Sequence, residues 1–117
     1  MSGAGDFPDF IKALPEIEVP YPGCRGWLVQ GSDQQVVFVT FSRTTAVPEH
    51  SHAEQWELVV AGVVELDMGG ARQTYRVGES FFIPAGVPHS AVVGAGYRAV
   101  MVFNSADRYR RKGTQIS

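Results

Sequence analysis

From residue 35 onward the chain is cut by glycine into short apolar runs, and this punctuation limits the possible folds more than any other feature. Val36-Val37-Phe38-Val39-Thr40-Phe41-Ser42 is β-branched or aromatic almost throughout and apolar on both faces, as expected of a strand covered on two sides. Trp56 to Ala61 has the same character and stops at Gly62. Val63 to Met68 alternates instead, with Val64, Leu66 and Met68 on one face and Glu65 and Asp67 on the other. Gly69-Gly70 then tolerates the positive φ of a tight hairpin. Gln73 to Val77, Ser80 to Ile83, Pro88 to Val93 and Tyr97 to Phe103 follow, with Gly26 to Gln30 ahead of the series. Short strands at near-regular spacing, with no helical periodicity between them, predict an all-β, antiparallel sandwich or barrel. One face of each two-sided strand lines the interior; the other must meet a second sheet, the N-terminal arm or a partner subunit.

The ends differ from the middle. Met1 to Gly5 are small and polar and are expected to be disordered. Asp6 to Leu14 lies between closely placed prolines and supports one short helical turn at most. Pro15, Pro20 and Pro22 impose an extended path on which Ile17 and Val19 alternate with Glu16 and Glu18. Residues 1–22 are therefore read as an extended arm, 23–105 as the barrel and 106–117 as a basic tail. Four of the ten basic residues fall between Asp107 and Gly113, where a solvated end is expected.

At 117 residues there is room for one domain. A net charge of −2 gives no reason to expect nucleic acid or an anionic membrane as partner. Cys24 is the sole cysteine, so no intrachain disulfide can form. The first residues show no signal-peptide pattern, and no run reaches the ~18 apolar residues of a membrane span. A soluble, cytoplasmic protein is expected.

All three histidines lie in two segments, Pro48-Glu49-His50-Ser51-His52-Ala53-Glu54-Gln55 and Pro84-Ala85-Gly86-Val87-Pro88-His89. On a strand, His50 and His52 point to one face and can converge on one ion. Imidazole is the commonest protein ligand for transition metals. Gln55 and Glu57 share strand parity, and both could face inward. No nucleophile elbow or phosphate-binding glycine loop occurs.

These segments resemble the two motifs of the cupins. The first, Gly-x5-His-x-His-x3or4-Glu-x6-Gly, matches at His50, His52 and Gly62, with Thr44 at the leading glycine and Gln55 seven residues before Gly62. The second, Gly-x5-Pro-x-Gly-x-x-His-x3-Asn, matches at Gly78, Pro84, Gly86 and His89, with Val93 in the final place. The resemblance covers Ala46 to Val93. It implies a jelly-roll barrel holding one divalent transition metal (zinc, iron, nickel, manganese or copper) through His50, His52, His89 and a fourth ligand. Gln55 fits that place by its distance to Gly62, Glu57 by its distance to His52. With Gln55 as ligand, the ion keeps its full charge and favours an anionic substrate oxygen.

Glu57 and Glu54 are the candidates for moving a proton. Phe41, Met68, Phe82, Tyr97 and Met101 are the candidate pocket walls by strand position, and Arg25, Arg43 and Arg98 the candidate carboxylate anchors. The resemblance implies an isomerase, tautomerase or lyase acting on a small acidic or sugar-acid metabolite. An iron-dependent dioxygenase and a non-catalytic small-molecule-binding or sensing module are the alternatives. It also implies a homodimer, to which the arm could add a strand.

Overall fold

The structure, a computed structural model, describes residues 6–113. Met1 to Gly5 and the last four residues of the basic tail lie outside the described residues. A single helical turn, α1 (Asp9–Lys12), precedes nine strands: β1 (Cys24–Gln30), β2 (Gln35–Phe41), β3 (Thr45–His50), β4 (Gln55–Ala61), β5 (Val63–Met68), β6 (Ala71–Arg76), β7 (Ser80–Ile83), β8 (His89–Val93) and β9 (Tyr97–Phe103). They form a five-stranded sheet ordered β1-β2-β9-β4-β7 and a four-stranded sheet ordered β3-β8-β5-β6. Every strand pairing is antiparallel. The result is an all-β jelly-roll barrel, as the punctuation predicts.

Alternation along each strand places the core between the sheets. Val37, Val39 and Phe41 of β2 and Tyr97, Ala99, Met101 and Phe103 of β9 are buried, opposite Val64 and Leu66 of β5 and Val93 of β8. Each valine, leucine, phenylalanine or methionine among them contributes roughly 1.5–3 kcal/mol by leaving water. The apolar residues of opposite parity form the sheet's outer face. Phe7 covers part of it, its ring 5.6 Å from Phe38 and 6.5 Å from Trp27.

Three glycines set two of the connections by their backbone. Gly69 and Gly70, with φ of 62° and 81°, close the β5–β6 hairpin at the Met68–Ala71 pair. Gly62 has φ of 77°, and a Cβ there would lie 2.8 Å from the Tyr97 Cα. The break after β4 is thus a close backbone approach as well as a turn.

β3 was not foreseen, because Pro48 and its polar neighbours lack a strand's composition. Its place at a sheet edge explains the tolerance. Only β8 pairs with it, and Pro48 falls within the register shift between Val47 and His50, where a missing N–H breaks no ladder bond.

The ends pack onto the barrel of their own chain. Glu16 bridges to Trp27 and Ile17 to Arg111. The Glu18 N–H donates to the Arg110 carbonyl at 2.9 Å, and the Lys112 N–H to the Glu16 carbonyl. Ile17 is 1% exposed. The arm's backbone therefore meets its own C-terminal segment, and Arg108 and Tyr109 of the supposedly solvated tail are half-buried. Among the described residues no helix is long and apolar enough to cross a membrane.

Candidate metal centre and its cavity

Two strand ends bring the histidines together. His50 ends β3 and pairs in register with His89, which opens β8. His52 follows in the loop to β4. Its carbonyl accepts the Gly86 N–H at 2.9 Å, which ties the two sequence motifs to each other. The turn Pro84-Ala85-Gly86-Val87 closes with a 3.3 Å bond from the Val87 N–H to the Pro84 carbonyl. Its third residue has φ of 76°, so glycine is required there.

The three rings stand with centroids 4.3 to 5.1 Å apart, and one nitrogen from each lies within 4.8 Å of the others. Each Nδ1 faces a backbone carbonyl: His50 that of Pro48 at 2.9 Å, His52 that of Ala53 at 2.7 Å, His89 that of Val87 at 2.9 Å. A carbonyl can only accept, so Nδ1 carries the proton in all three rings and Nε2 presents its lone pair. The Nε2 atoms of His52 and His89 are buried with no hydrogen-bond partner. Such atoms cost ~1–3 kcal/mol each when left unsatisfied. Burial, foremost, lowers the pKa of His52 to about 4 and also lowers that of His89. Both rings are neutral near pH 7, the state in which imidazole binds metal. The donor set fits a divalent ion.

Beneath the cluster lies a cavity of about 400 Å³. Gln55 and Glu57, the first inward residues of β4, are 6% exposed each. The Gln55 Nε2 donates to Glu57 Oε1 at 2.7 Å and lies 3.6 Å from the Met101 sulfur, while the Tyr97 hydroxyl donates to Glu57 Oε2. Burial pushes the Glu57 carboxyl up to about 7, against the pull of its two hydrogen bonds. Among the described residues, Glu57 is the one carboxyl lining the cavity and Arg108 the one guanidinium, and no lysine lines it. Cys24 also lines it, but burial pushes its thiol up to about 12, which removes it as a nucleophile at neutral pH.

Of the other candidates, Phe41, Tyr97 and Met101 line the cavity. Phe82 does not. In the β4–β7 register Gln55 faces Ile83 and Glu57 faces Phe81, whereas Trp56 faces Phe82. Phe81 therefore turns inward with the glutamate, and Phe82 is 50% exposed. Met68 ends β5 and packs at the margin of the core; that strand lines the cavity through Val64 and Leu66. Glu54 is held away from the cavity by Asn104, whose Nδ2 donates to its carboxylate at 2.9 Å and whose N–H donates to its carbonyl at 2.9 Å. Arg25 pairs with Glu16 on the surface, Arg98 lies over the Phe7 ring, and Arg43 is exposed.

Besides Phe81, Val64 and Leu66, sequence reasoning missed residues from the chain ends: Val19, Pro20 and Tyr21 of the arm, Arg108 and Tyr109 of the tail. The available signal was Tyr109, an aromatic residue inside a basic run.

Two strand ends and the loop after β3 gather three imidazoles at a jelly-roll interior, a barrel with a site that could hold a metal ion. The comparisons place the chain more closely. The family profile of the cupin domain matches residues 37–103, more than half of the chain, which belongs to the cupin family. Among solved structures, an RmlC-like cupin from Shewanella frigidimarina is 25% identical, with a TM-score of 0.72 over 92% of this chain and 95% of that one. KdgF from Halomonas sp. is also 25% identical, with a TM-score of 0.68 over 79% and 88%. An oxalate decarboxylase of Bacillus subtilis, at 17% identity and a TM-score of 0.64, shares the fold over 82% of this chain and 28% of its own. No curated protein sequence matches the chain.

Proposed function

We propose that this cupin is a divalent-metal enzyme that relocates a proton on a small acidic metabolite of the sugar-acid or keto-acid type. The observation that carries the reading is one cavity holding three inward imidazoles, one buried carboxyl and one guanidinium. His50, His52 and His89 hold the ion, and Gln55 Oε1 is the fourth donor. The Gln55 Nε2 is committed to Glu57, which leaves the amide oxygen as the group to turn toward the imidazoles. Glu57 is the poorer fourth ligand because both its oxygens already accept hydrogen bonds. Zinc, iron, nickel, manganese or copper bound there supplies Lewis acidity toward a substrate carbonyl or hydroxyl oxygen.

The chain's own residues do the rest. Arg108 holds the substrate carboxylate with a charge-assisted bond. Glu57, with a pKa near neutrality, takes and returns the proton at a carboxylate oxygen. Tyr97 orients that carboxyl, and the walls of Phe41, Phe81 and Leu66 keep water out.

The test is turnover on a panel of uronates and keto acids before and after chelation. Activity should vanish with the metal and return with one equivalent. Arg108→Gln should raise KM about tenfold or more, with a smaller change in kcat. Tight binding without metal-dependent turnover would instead identify a binding or sensing module, and oxygen consumption requiring Fe(II) a dioxygenase.

We also propose a homodimer formed through the outer face of the five-stranded sheet. Trp56 and Phe82 are register partners there, 40% and 50% exposed, alongside the exposed Val60. Contiguous exposed apolar surface of this kind marks an interface. A dimer is expected by light scattering at micromolar concentration, and Trp56→Glu should yield a monomer. A wild-type monomer would reject the proposal.

A further inference from the structure

Gln35 is 1% exposed, yet it is not part of the cavity wall. Its amide makes three hydrogen bonds. Nε2 donates to Gln30 Oε1 at 2.8 Å and to the Tyr109 carbonyl at 3.0 Å, and Oε1 accepts the Tyr109 N–H at 2.9 Å. The last two form a closed pair in which a side-chain amide takes the place of a strand partner for Tyr109. A buried amide is expensive unless its bonds are made, so this one pins the backbone that satisfies it. Two neighbours extend the grip. Gln30 Nε2 donates to the Ala106 carbonyl at 2.9 Å, and Gln34 Nε2 to Asn104 Oδ1 at 3.1 Å. Three glutamines around the β1–β2 turn thus hold the chain at residues 104, 106 and 109.

The residue they bracket is Arg108. Its guanidinium lies 4.5 Å from the Tyr109 ring centroid and 5.6 Å from that of Phe103, and its Nε is buried without a hydrogen-bond partner. Tyr109 stands edge-on to Phe103 at 5.4 Å. The backbone of Tyr109 therefore fixes one of the two rings against which the guanidinium rests. Arg108 is long and carries high rotamer entropy, so its affinity for an anion depends on this support being rigid.

We infer that Gln35 is the positioning residue for Arg108: acting through Tyr109, it holds the guanidinium at the cavity and so sets the affinity for a carboxylate ligand, while touching neither ligand nor metal. This rests on the reading of the cavity as a site for an acidic metabolite.

The experiment uses zinc-loaded, 15N-labelled wild type, Gln35→Met, Arg108→Gln and the double variant. Methionine keeps the length of glutamine and removes its hydrogen bonds. Gln35→Asn, too short to reach Tyr109, serves if Gln35→Met does not fold. The first readout is the Arg108 Nε–H signal, assigned by its disappearance in Arg108→Gln. Its exchange with solvent should be about tenfold faster in the Gln35 variant; unchanged exchange would overturn the clamp. The second readout is the Kd for D-glucuronate and for D-glucose, which lacks the carboxylate.

Gln35→Met should weaken glucuronate binding about five- to tenfold. It should leave glucose and zinc binding unchanged, and cause no further loss on the Arg108→Gln background. Additive losses in the double variant, or an equal loss for glucose, would overturn the inference, because Gln35 would then act on the whole cavity. If Arg108→Gln leaves glucuronate binding intact, the acidic-metabolite reading fails, and the Nε–H exchange alone decides the clamp.

Discussion

His52→Ala protein, purified beside wild type, is expected to carry less than about a tenth of an equivalent of metal where wild type carries one. The loss follows from the donor count. Only three imidazoles converge, each with Nδ1 tied to a backbone carbonyl, and removing one leaves a two-imidazole site. Losing a mere supporting hydrogen bond in a metal site already costs ~10–100-fold in affinity, and losing a ligand costs more. The metal-free variant should still fold. It sheds a buried, unpartnered Nε2, whose presence costs wild type ~1–3 kcal/mol. Thermal melts should separate the two effects. Wild type should gain about 2.7 kcal/mol at metal concentrations 100 times Kd, and the variant should gain little. Full metal retention in His52→Ala, measured by elemental analysis, would overturn the assignment.

The second large effect is expected for Glu57→Gln. If Glu57 moves the proton, kcat should fall ~10²–10⁴-fold while the metal content stays at wild-type level. An unchanged kcat would remove Glu57 from the mechanism. The same residue makes a stability prediction for the metal-free protein. Its folded pKa, about 7, lies above the ordinary 4.5, so between these values the folded state keeps a proton that the unfolded chain has released. Its contribution is fully present below pH 4.5 and is lost as pH rises to 7, by ~3 kcal/mol at most. Burial lowers the pKa of His52 and His89, so these rings gain stability as pH rises over the same range. The Glu57 decline is therefore read as a difference: by urea denaturation, metal-free wild type should lose stability relative to Glu57→Gln between pH 4.5 and 7. A bound cation favours the carboxylate, so metal should shrink that difference.

Much of the barrel was legible because period-two alternation and glycine breaks are local. Val63–Met68, Ser80–Ile83 and Tyr97–Phe103 stand where the sequence places them. The histidine cluster was legible for the same reason. His50 and His52 are two residues apart, and the Pro84-Ala85-Gly86 turn carries its own requirement for positive φ. β3 was hidden because its tolerance of Pro48 comes from an edge position, which belongs to the sheet and not to the segment. Phe82 was misplaced because Phe81 and Phe82 have equal apolar content; only the register against Gln55 and Glu57 decides which turns inward.

The sequence alone determined the period of the strands, the places where they break and the pair of segments that carry imidazoles, since each depends on residues a few positions apart. Tertiary structure decided what those imidazoles share a cavity with. Glu57 becomes a near-neutral acid only through burial in the packed barrel, which outweighs the opposing hydrogen bond from Tyr97, forty positions away along the chain. Arg108 is held at the cavity by a segment whose backbone at Tyr109 is bound by Gln35, seventy-four positions away. Desolvation and long-range hydrogen bonding depend on the packed environment, and no local pattern of residues encodes them.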